Sequence, residues 1–219
     1  PRLSQPDALR AIYASVRPYG GSIWFISPPD ITNLAARIRA AGLANAEVRI
    51  AGRHLCMTRE GSLPGTADWT HQYGDPANSL KSDDSTVKPP LGVLWFGGNT
   101  HMDVLPRHGH GPSEQIVGGR LFLEGMDGLS ARDVYTGRTL WKTKVPGLDT
   151  RGIYHDETYL PDPLTTLYNQ RHIPGANARG ANFVATKDSV YLAVGNRCTV
   201  LDAATGQIGR SITIPAPPE

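Results

Sequence analysis

Residues 131–141 read Ala-Arg-Asp-Val-Tyr-Thr-Gly-Arg-Thr-Leu-Trp, and this stretch decides the fold. Thr136 and Gly137 form a predicted tight turn, in which glycine tolerates a positive φ and Asp133 can accept backbone N–H bonds. After the turn, alternate residues through Trp141 fall on opposite faces of an extended strand. The stretch therefore predicts a β-hairpin. Trp141 needs burial against something beyond that hairpin.

The same pattern returns at residues 200–206, which read Val-Leu-Asp-Ala-Ala-Thr-Gly. Each hairpin follows a β-rich run, at residues 120–124 and 189–194. A repeat of four strands is typical of propeller blades, so the chain is predicted to contain two four-stranded units. The matching turn residues in the second unit are Asp202, Thr205 and Gly206, and its face equivalent to that of Trp141 carries Ile208, Ile212 and Ile214.

The pattern Ala-x-Asp-x-x-Thr-Gly-x-x-x-Trp, which begins at Ala131, resembles the tryptophan-docking motif of pyrroloquinoline quinone (PQQ)-type β-propeller repeats. Such repeats occur in quinoprotein alcohol dehydrogenases and in cofactor-free outer-membrane assembly lipoproteins. In that family the tryptophan stacks between neighbouring blades. The second copy departs from the motif, because Val200 replaces the alanine and Arg210 the tryptophan. Since about seven or eight blades normally close such a ring, further blades are expected from additional sequence or another chain.

The first 60 residues have a different pattern. An amphipathic helix is predicted over residues 4–16, a buried strand over 22–26, and a second helix that Asp30 caps and Gly42 ends. Two more strands follow, near residues 47–50 and 54–58.

This order, with its Arg-Pro-Tyr-Gly-Gly turn at 17–21, resembles the C-terminal half of class I S-adenosylmethionine (SAM)-dependent methyltransferases. That family holds its cofactor with a glycine-rich loop and an acidic residue in the N-terminal half. No GxGxG-like loop occurs in this sequence, so the segment is interpreted as a remnant without a cofactor site.

The predicted fold class is mainly β: a partial β-propeller of PQQ-like blades with a small N-terminal α/β segment. The predicted domains are 1–61, the methyltransferase-like segment, and 62–219, the blades. A proline- and glycine-rich bridge over 62–118 leads into the propeller. Within it, Trp69, Tyr73, Asp75 and Asn78 resemble the opening of PQQ-type propellers.

Composition excludes some partners. The net charge is only +2 and the basic residues form no cluster, so neither nucleic acid nor an anionic membrane surface is indicated. No apolar run approaches the roughly 20 residues that span a bilayer. Cys56 and Cys198 lie in different predicted domains, and they are interpreted as isolated buried thiols.

One polar segment is the candidate for site chemistry. His101, Asp103, His108 and His110 lie close together in the sequence, and neutral imidazoles can bind zinc or copper. The favoured interpretation is nevertheless structural, with these side chains hydrogen-bonded to loop backbone. Arg107 and His108 could equally contact an anionic ligand.

A second candidate region is the insertion from Asp149 to Arg179, which is too long for a hairpin loop. It contains Arg171 and His172 as further ligand-binding candidates. A plain surface excursion is the favoured interpretation, and a binding role is the alternative.

The leading functional hypothesis is a ligand- or protein-binding propeller module, with no catalysis demonstrable from this chain. The alternatives are a quinoprotein dehydrogenase-like oxidoreductase and a methyltransferase with an appended propeller. No cofactor is demonstrable; PQQ or SAM would belong to a complete parent protein. Propellers of this type are mostly extracytoplasmic whereas small-molecule methyltransferases are mostly cytoplasmic, so the compartment is open, with the extracytoplasmic side favoured.

Overall fold

A computed structural model describes residues 6–100, 102–105, 112–150 and 182–215. The chain divides into two compact units, Pro1–Thr66 and Ala67–Glu219. The sequence places the boundary between residues 61 and 62.

The first unit contains two helices and a three-stranded sheet. The helices are α1 (Pro6–Ala14) and α2 (Ile31–Ala40), and the strands are β1 (Gly21–Ile26), β2 (Ala46–Ala51) and β3 (His54–Arg59). β3 lies between β1 and β2 and runs antiparallel to both. The predicted order of helices and strands is confirmed.

Both ends of α2 follow the predicted chemistry. The Asp30 side chain accepts a hydrogen bond from the backbone N–H of Asn33 at 2.9 Å, which caps the helix. Gly42 follows the helix with φ of 63°, a conformation that glycine adopts without strain. The helices cover one face of the sheet, and the core there consists of Leu9, Tyr13, Ala35, Ile38, Leu55 and Met57.

The prediction of a buried strand over residues 22–26 is wrong on one face of β1. Its residues alternate between partly buried and exposed, with Trp24 at 47% and Ile26 at 68% exposure. Ile23 and Phe25 pack against the helical core. A sheet covered on one face produces this alternation, whereas burial of both faces would need a second layer.

The second unit contains two four-stranded antiparallel sheets. Strands of the first sheet, in spatial order, are β4 (Gln115–Val117), β5 (Arg120–Gly125), β6 (Gly128–Asp133) and β7 (Thr139–Lys144). The second sheet has the same order, with β8 (Phe183–Ala185), β9 (Ser189–Val194), β10 (Arg197–Asp202) and β11 (Ile208–Thr213). Each is a simple up-and-down meander, as the repeat predicts.

The two sheets share one apolar core. It includes Phe122, Leu129 and Trp141 from the first sheet, and Leu192 and Leu201 from the second. The rings of Phe122 and Trp141 are tilted, with centroids 6.1 Å apart, which suits two aromatic quadrupoles.

A buried glutamine joins the inner strands of the two sheets. Gln115 on β4 is fully buried, and its side-chain amide donates to the Phe183 carbonyl while its oxygen accepts from the Ala185 N–H at 2.7 Å. Both partners belong to β8, so one side chain satisfies two backbone groups of the neighbouring sheet.

Two successive meanders that pack face to face through a shared core are neighbouring blades of a partial β-propeller. The predicted fold class, mainly β with a small N-terminal α/β segment, is therefore confirmed. Within the described ranges, no helix has the length and apolar character needed to cross a bilayer.

Candidate binding surface

The β6–β7 turn is closed as its sequence predicts. The carboxylate of Asp133 accepts the backbone N–H groups of Tyr135 and Thr136, each at 3.0 Å. Gly137 follows with φ of 70°. In the register of the hairpin, Ala131 lies opposite Trp141.

The β10–β11 turn has the same construction. Asp202 accepts the N–H groups of Ala204 and Thr205 at 3.0 and 2.8 Å, and the Thr205 hydroxyl at 2.8 Å. These hydrogen bonds, the Thr205 hydroxyl foremost, lower the pKa of Asp202. Gly206 has φ of 72°.

Trp141 lies directly on this second turn. The side chain is 7% exposed, so its predicted burial is confirmed. Its indole Nε1 donates to the Ala203 carbonyl at 3.1 Å. A Cβ on Gly206 would lie 2.4 Å from the Cε3 atom of Trp141, closer than any side chain allows. Glycine is therefore needed at position 206 for two reasons: it leaves space for the indole ring, and it adopts the positive φ without strain.

Trp95 makes the same contact one sheet earlier. Its Nε1 donates to the Val134 carbonyl at 2.8 Å, and a Cβ on Gly137 would lie 2.4 Å from its Cε3 atom. Val134 and Gly137 hold the places in the first turn that Ala203 and Gly206 hold in the second. The sequence does not predict this role, because no Ala-x-Asp-x-x-Thr-Gly precedes Trp95. The signal for it is the spacing of 46 residues between Trp95 and Trp141, which is about the length of one four-stranded blade repeat.

The segment around Trp95 has no sheet. Residues 91–96 form no ladder with the described residues, although Leu91, Val93 and Leu94 give residues 91–94 a β-like sequence. Its remaining large side chains are exposed: Leu91 76%, Val93 84%, Leu94 68% and Phe96 92%. By its docking contact this segment occupies the position of β7, the outermost strand of a blade, and the described residues supply no inner strands for it.

The opposite end of the pair of sheets is also uncovered. β11 is exposed along its whole length, and its Ile208 and Ile212, with Ile214 just after the strand, are 37–40% exposed. These residues lie on the face predicted from the repeat, since Ile208 pairs with Leu201 as Thr139 pairs with Arg132.

Asp103, one of the metal-ligand candidates, is engaged in ion pairs. Its carboxylate lies 2.5 Å from Lys142 Nζ and 3.6 Å from Arg132 Nη2, and it accepts the Thr100 N–H at 2.9 Å. Burial works to raise the pKa of Asp103, but the hydrogen bonds from Lys142 and Thr100 outweigh burial, so the pKa is lowered. The ion pairs fasten the segment before β4 to the β6–β7 face.

The other predicted site residues, His101, Arg107, His108, His110, Arg171 and His172, lie outside the described residues. Among the residues that are described, no three His, Cys, Asp or Glu side chains converge as a metal site would require. The two cysteines form no disulfide, and Cys56 is buried while Cys198 is partly exposed.

Comparisons with known proteins find a match among solved structures but none among family profiles or curated sequences. No protein-family profile matches the sequence, and no curated protein matches it. Among solved structures, quinohemoprotein alcohol dehydrogenase from Comamonas testosteroni is similar, with a TM-score of 0.42 and 18% sequence identity. The alignment covers 67% of this chain and 19% of that chain. This chain therefore spans about a fifth of the length of the dehydrogenase.

Proposed function

We propose that this chain is a protein-binding propeller module, and that its binding surface is the unpaired segment at residues 91–96, which holds the position of an outer blade strand. The observation that carries the proposal is the repeated docking contact. Trp95 lies on the β6–β7 turn as Trp141 lies on the β10–β11 turn, yet β7 belongs to a complete sheet and Leu91–Phe96 does not. The partner is a further β-sheet, from another blade or another chain.

The chemistry of the partner strand follows from β6. In the first sheet the residue opposite Trp141 is Ala131, which is fully buried and leaves room for the indole ring. The strand that pairs with Leu91–Phe96 should run antiparallel and carry a small residue opposite Trp95. Pairing would satisfy backbone groups that make no hydrogen bond to the described residues, and it would cover exposed apolar surface.

A peptide probe tests this proposal. A disulfide-closed hairpin with the sequence of residues 120–133 presents β6, the strand that carries Ala131. Mixed with the intact chain, it should slow hydrogen exchange of the Leu91–Phe96 amides, measured by mass spectrometry. The matched control is the same hairpin with Ala131→Leu, which should leave exchange unchanged. Equal exchange with and without the alanine hairpin would contradict the proposal.

Each of the two alternative functions, quinoprotein dehydrogenase and methyltransferase, requires a cofactor. A quinoprotein dehydrogenase-like oxidoreductase normally has vicinal cysteines beside PQQ, whereas Cys56 and Cys198 lie in separate units. A methyltransferase needs a glycine-rich loop for SAM, and the sequence contains none. PQQ or SAM would therefore belong to a complete parent protein, and no reaction step is assigned to either cofactor here. Calorimetry with SAM should give no saturable heat at micromolar concentration.

A further inference from the structure

A cleft on the first sheet lies apart from both docked tryptophans. It has a volume of about 380 Å³ and is bordered by β6, β7 and the segment at Asp103. This volume is within the range that small-molecule sites occupy. The side chains that give the cleft its polar character are Asp103, Ser130, Lys142 and Lys144.

Two buried polar side chains of β6 carry side-chain atoms that have no hydrogen-bond partner among the described residues. Ser130 is 5% exposed and lines the cleft, and its hydroxyl has no partner among the described residues. Arg132, two positions along β6, is fully buried; its Nη1 donates to the Gly98 and Gly137 carbonyls, each at 3.4 Å, but its Nε and Nη2 make no hydrogen bond to the described residues. A donor that is removed from water without an acceptor costs free energy, so the Ser130 hydroxyl favours a ligand in the cleft that brings acceptor oxygens.

The charges around the cleft are unbalanced. Two cationic side chains, Lys142 and Lys144, line it with one carboxylate, Asp103, and the buried Arg132, which is not part of the lining, lies 3.6 Å from that carboxylate. The ion pair from Arg132 to Asp103 is long, at 3.6 Å, whereas charge-assisted hydrogen bonds are normally about 2.7 to 2.9 Å. Asp103 therefore compensates Arg132 only in part.

We propose that this cleft binds a small phosphate-bearing molecule, with the Ser130 hydroxyl and the Lys142 and Lys144 ammonium groups as its direct donors. Lys142 extends from the position opposite Ser130 in the ladder, so the two side chains share one face. The buried Arg132 guanidinium supplies fixed positive charge behind the phosphate. Asp103 competes with the ligand for Lys142 and Arg132.

Calorimetry with inorganic phosphate at low ionic strength is the first test, because salt screens such a site. We expect saturable binding that Ser130→Ala and Lys144→Met each weaken by about tenfold or more, as loss of one charged hydrogen bond does. Neither side chain belongs to an ion pair that holds the fold. The matched control is Lys88→Met, which removes an exposed lysine elsewhere and should leave the affinity unchanged.

Thermal unfolding distinguishes a specific phosphate site from nonspecific electrostatic attraction. Because Asp103 competes for the same cations, phosphate should raise the melting temperature of Asp103→Asn more than that of the unaltered chain. Acetate at the same concentration distinguishes a phosphate site from a carboxylate site, and it should give the smaller rise. The proposal is overturned by heats that do not saturate, by an equal loss in Lys88→Met, or by equal stabilisation of the two chains.

Discussion

Trp141 of the first sheet lies against Gly206 of the second so closely that the two residues exclude any side chain between them. The hydroxyl of Thr143, also on β7, donates to the Gly206 carbonyl at 2.8 Å and holds the same turn. The contact therefore requires a glycine for two independent reasons, its positive φ and the ring above it.

Gly206→Ala should destabilise the chain strongly because it combines both costs. An alanine in the left-handed region costs about 1 to 2 kcal/mol, and overpacking against the indole adds about 1 to 3 kcal/mol. Urea unfolding measures the sum. Gly195→Ala is the matched control, since Gly195 has φ of 57° but no atom within 4 Å of an added Cβ. Equal losses in the two variants would show that the indole does not rest on Gly206.

Removal of the indole itself should cost more. Trp141→Ala is expected to lower the free energy of unfolding by about 3 to 5 kcal/mol, as other large-to-small core changes do. Leu140→Ala, at the adjacent and exposed position on β7, should cost about 1 kcal/mol or less. Chemical denaturation monitored by circular dichroism compares the two. A loss no larger than that of Leu140→Ala would contradict the burial of Trp141 in a shared core.

The sequence predicts the two sheets because their turns depend on local chemistry. Asp133 and Gly137 close a turn with residues next to them in the chain, so the turn can be predicted from the sequence alone. Trp95 escapes prediction because no Ala-x-Asp-x-x-Thr-Gly turn precedes it and its contact is with Val134, 39 residues further along the chain. The exposure of Ile208 is likewise not predictable from the sequence. Alternation along a strand shows which residues share a face, but it does not show whether another sheet covers that face.

The contacts of the candidate site are harder to predict from the sequence than the fold is. Asp103 is singled out in the sequence by nearby histidines, but its carboxylate pairs with Arg132 and Lys142, which follow it by 29 and 39 positions in the chain. Those cations stand in β6 and β7 among ordinary strand residues, and only the sheet register brings them to Asp103. Sequence spacing therefore identifies the carboxylate without its partners.

Gln115 tests the polar connection between the sheets. Gln115→Leu keeps approximately the same volume but leaves the Phe183 carbonyl and the Ala185 N–H without their buried partner. We expect a loss of about 2 to 4 kcal/mol in urea unfolding. The same substitution at the exposed Gln207 should change the midpoint little. Equal midpoints for Gln115→Leu and Gln207→Leu would indicate that the two sheets do not depend on this connection.

Asp103→Asn should destabilise the chain by about 3 kcal/mol at neutral pH, because it leaves the buried Arg132 guanidinium without its counterion. The pKa of Asp103 is lowered in the folded state, so its contribution is fully present above the unfolded pKa, about 3.9. That contribution disappears as the pH falls through the lower, folded value. The difference in unfolding free energy between the two chains should therefore be constant from pH 7 to about pH 5 and shrink below about pH 4.

Thermal or urea unfolding of both chains across this range measures the difference. Asp83→Asn is the control, since Asp83 pairs with Lys81 at 2.7 Å in an exposed salt bridge that water screens. It should show almost no stability difference at any pH. A stability difference between Asp103→Asn and the unaltered chain that stays constant down to pH 2.5 would mean that the Asp103 carboxylate does not supply the charge that holds Lys142 and Arg132. The segment before β4 would then be held on the β6–β7 face by its backbone hydrogen bonds alone.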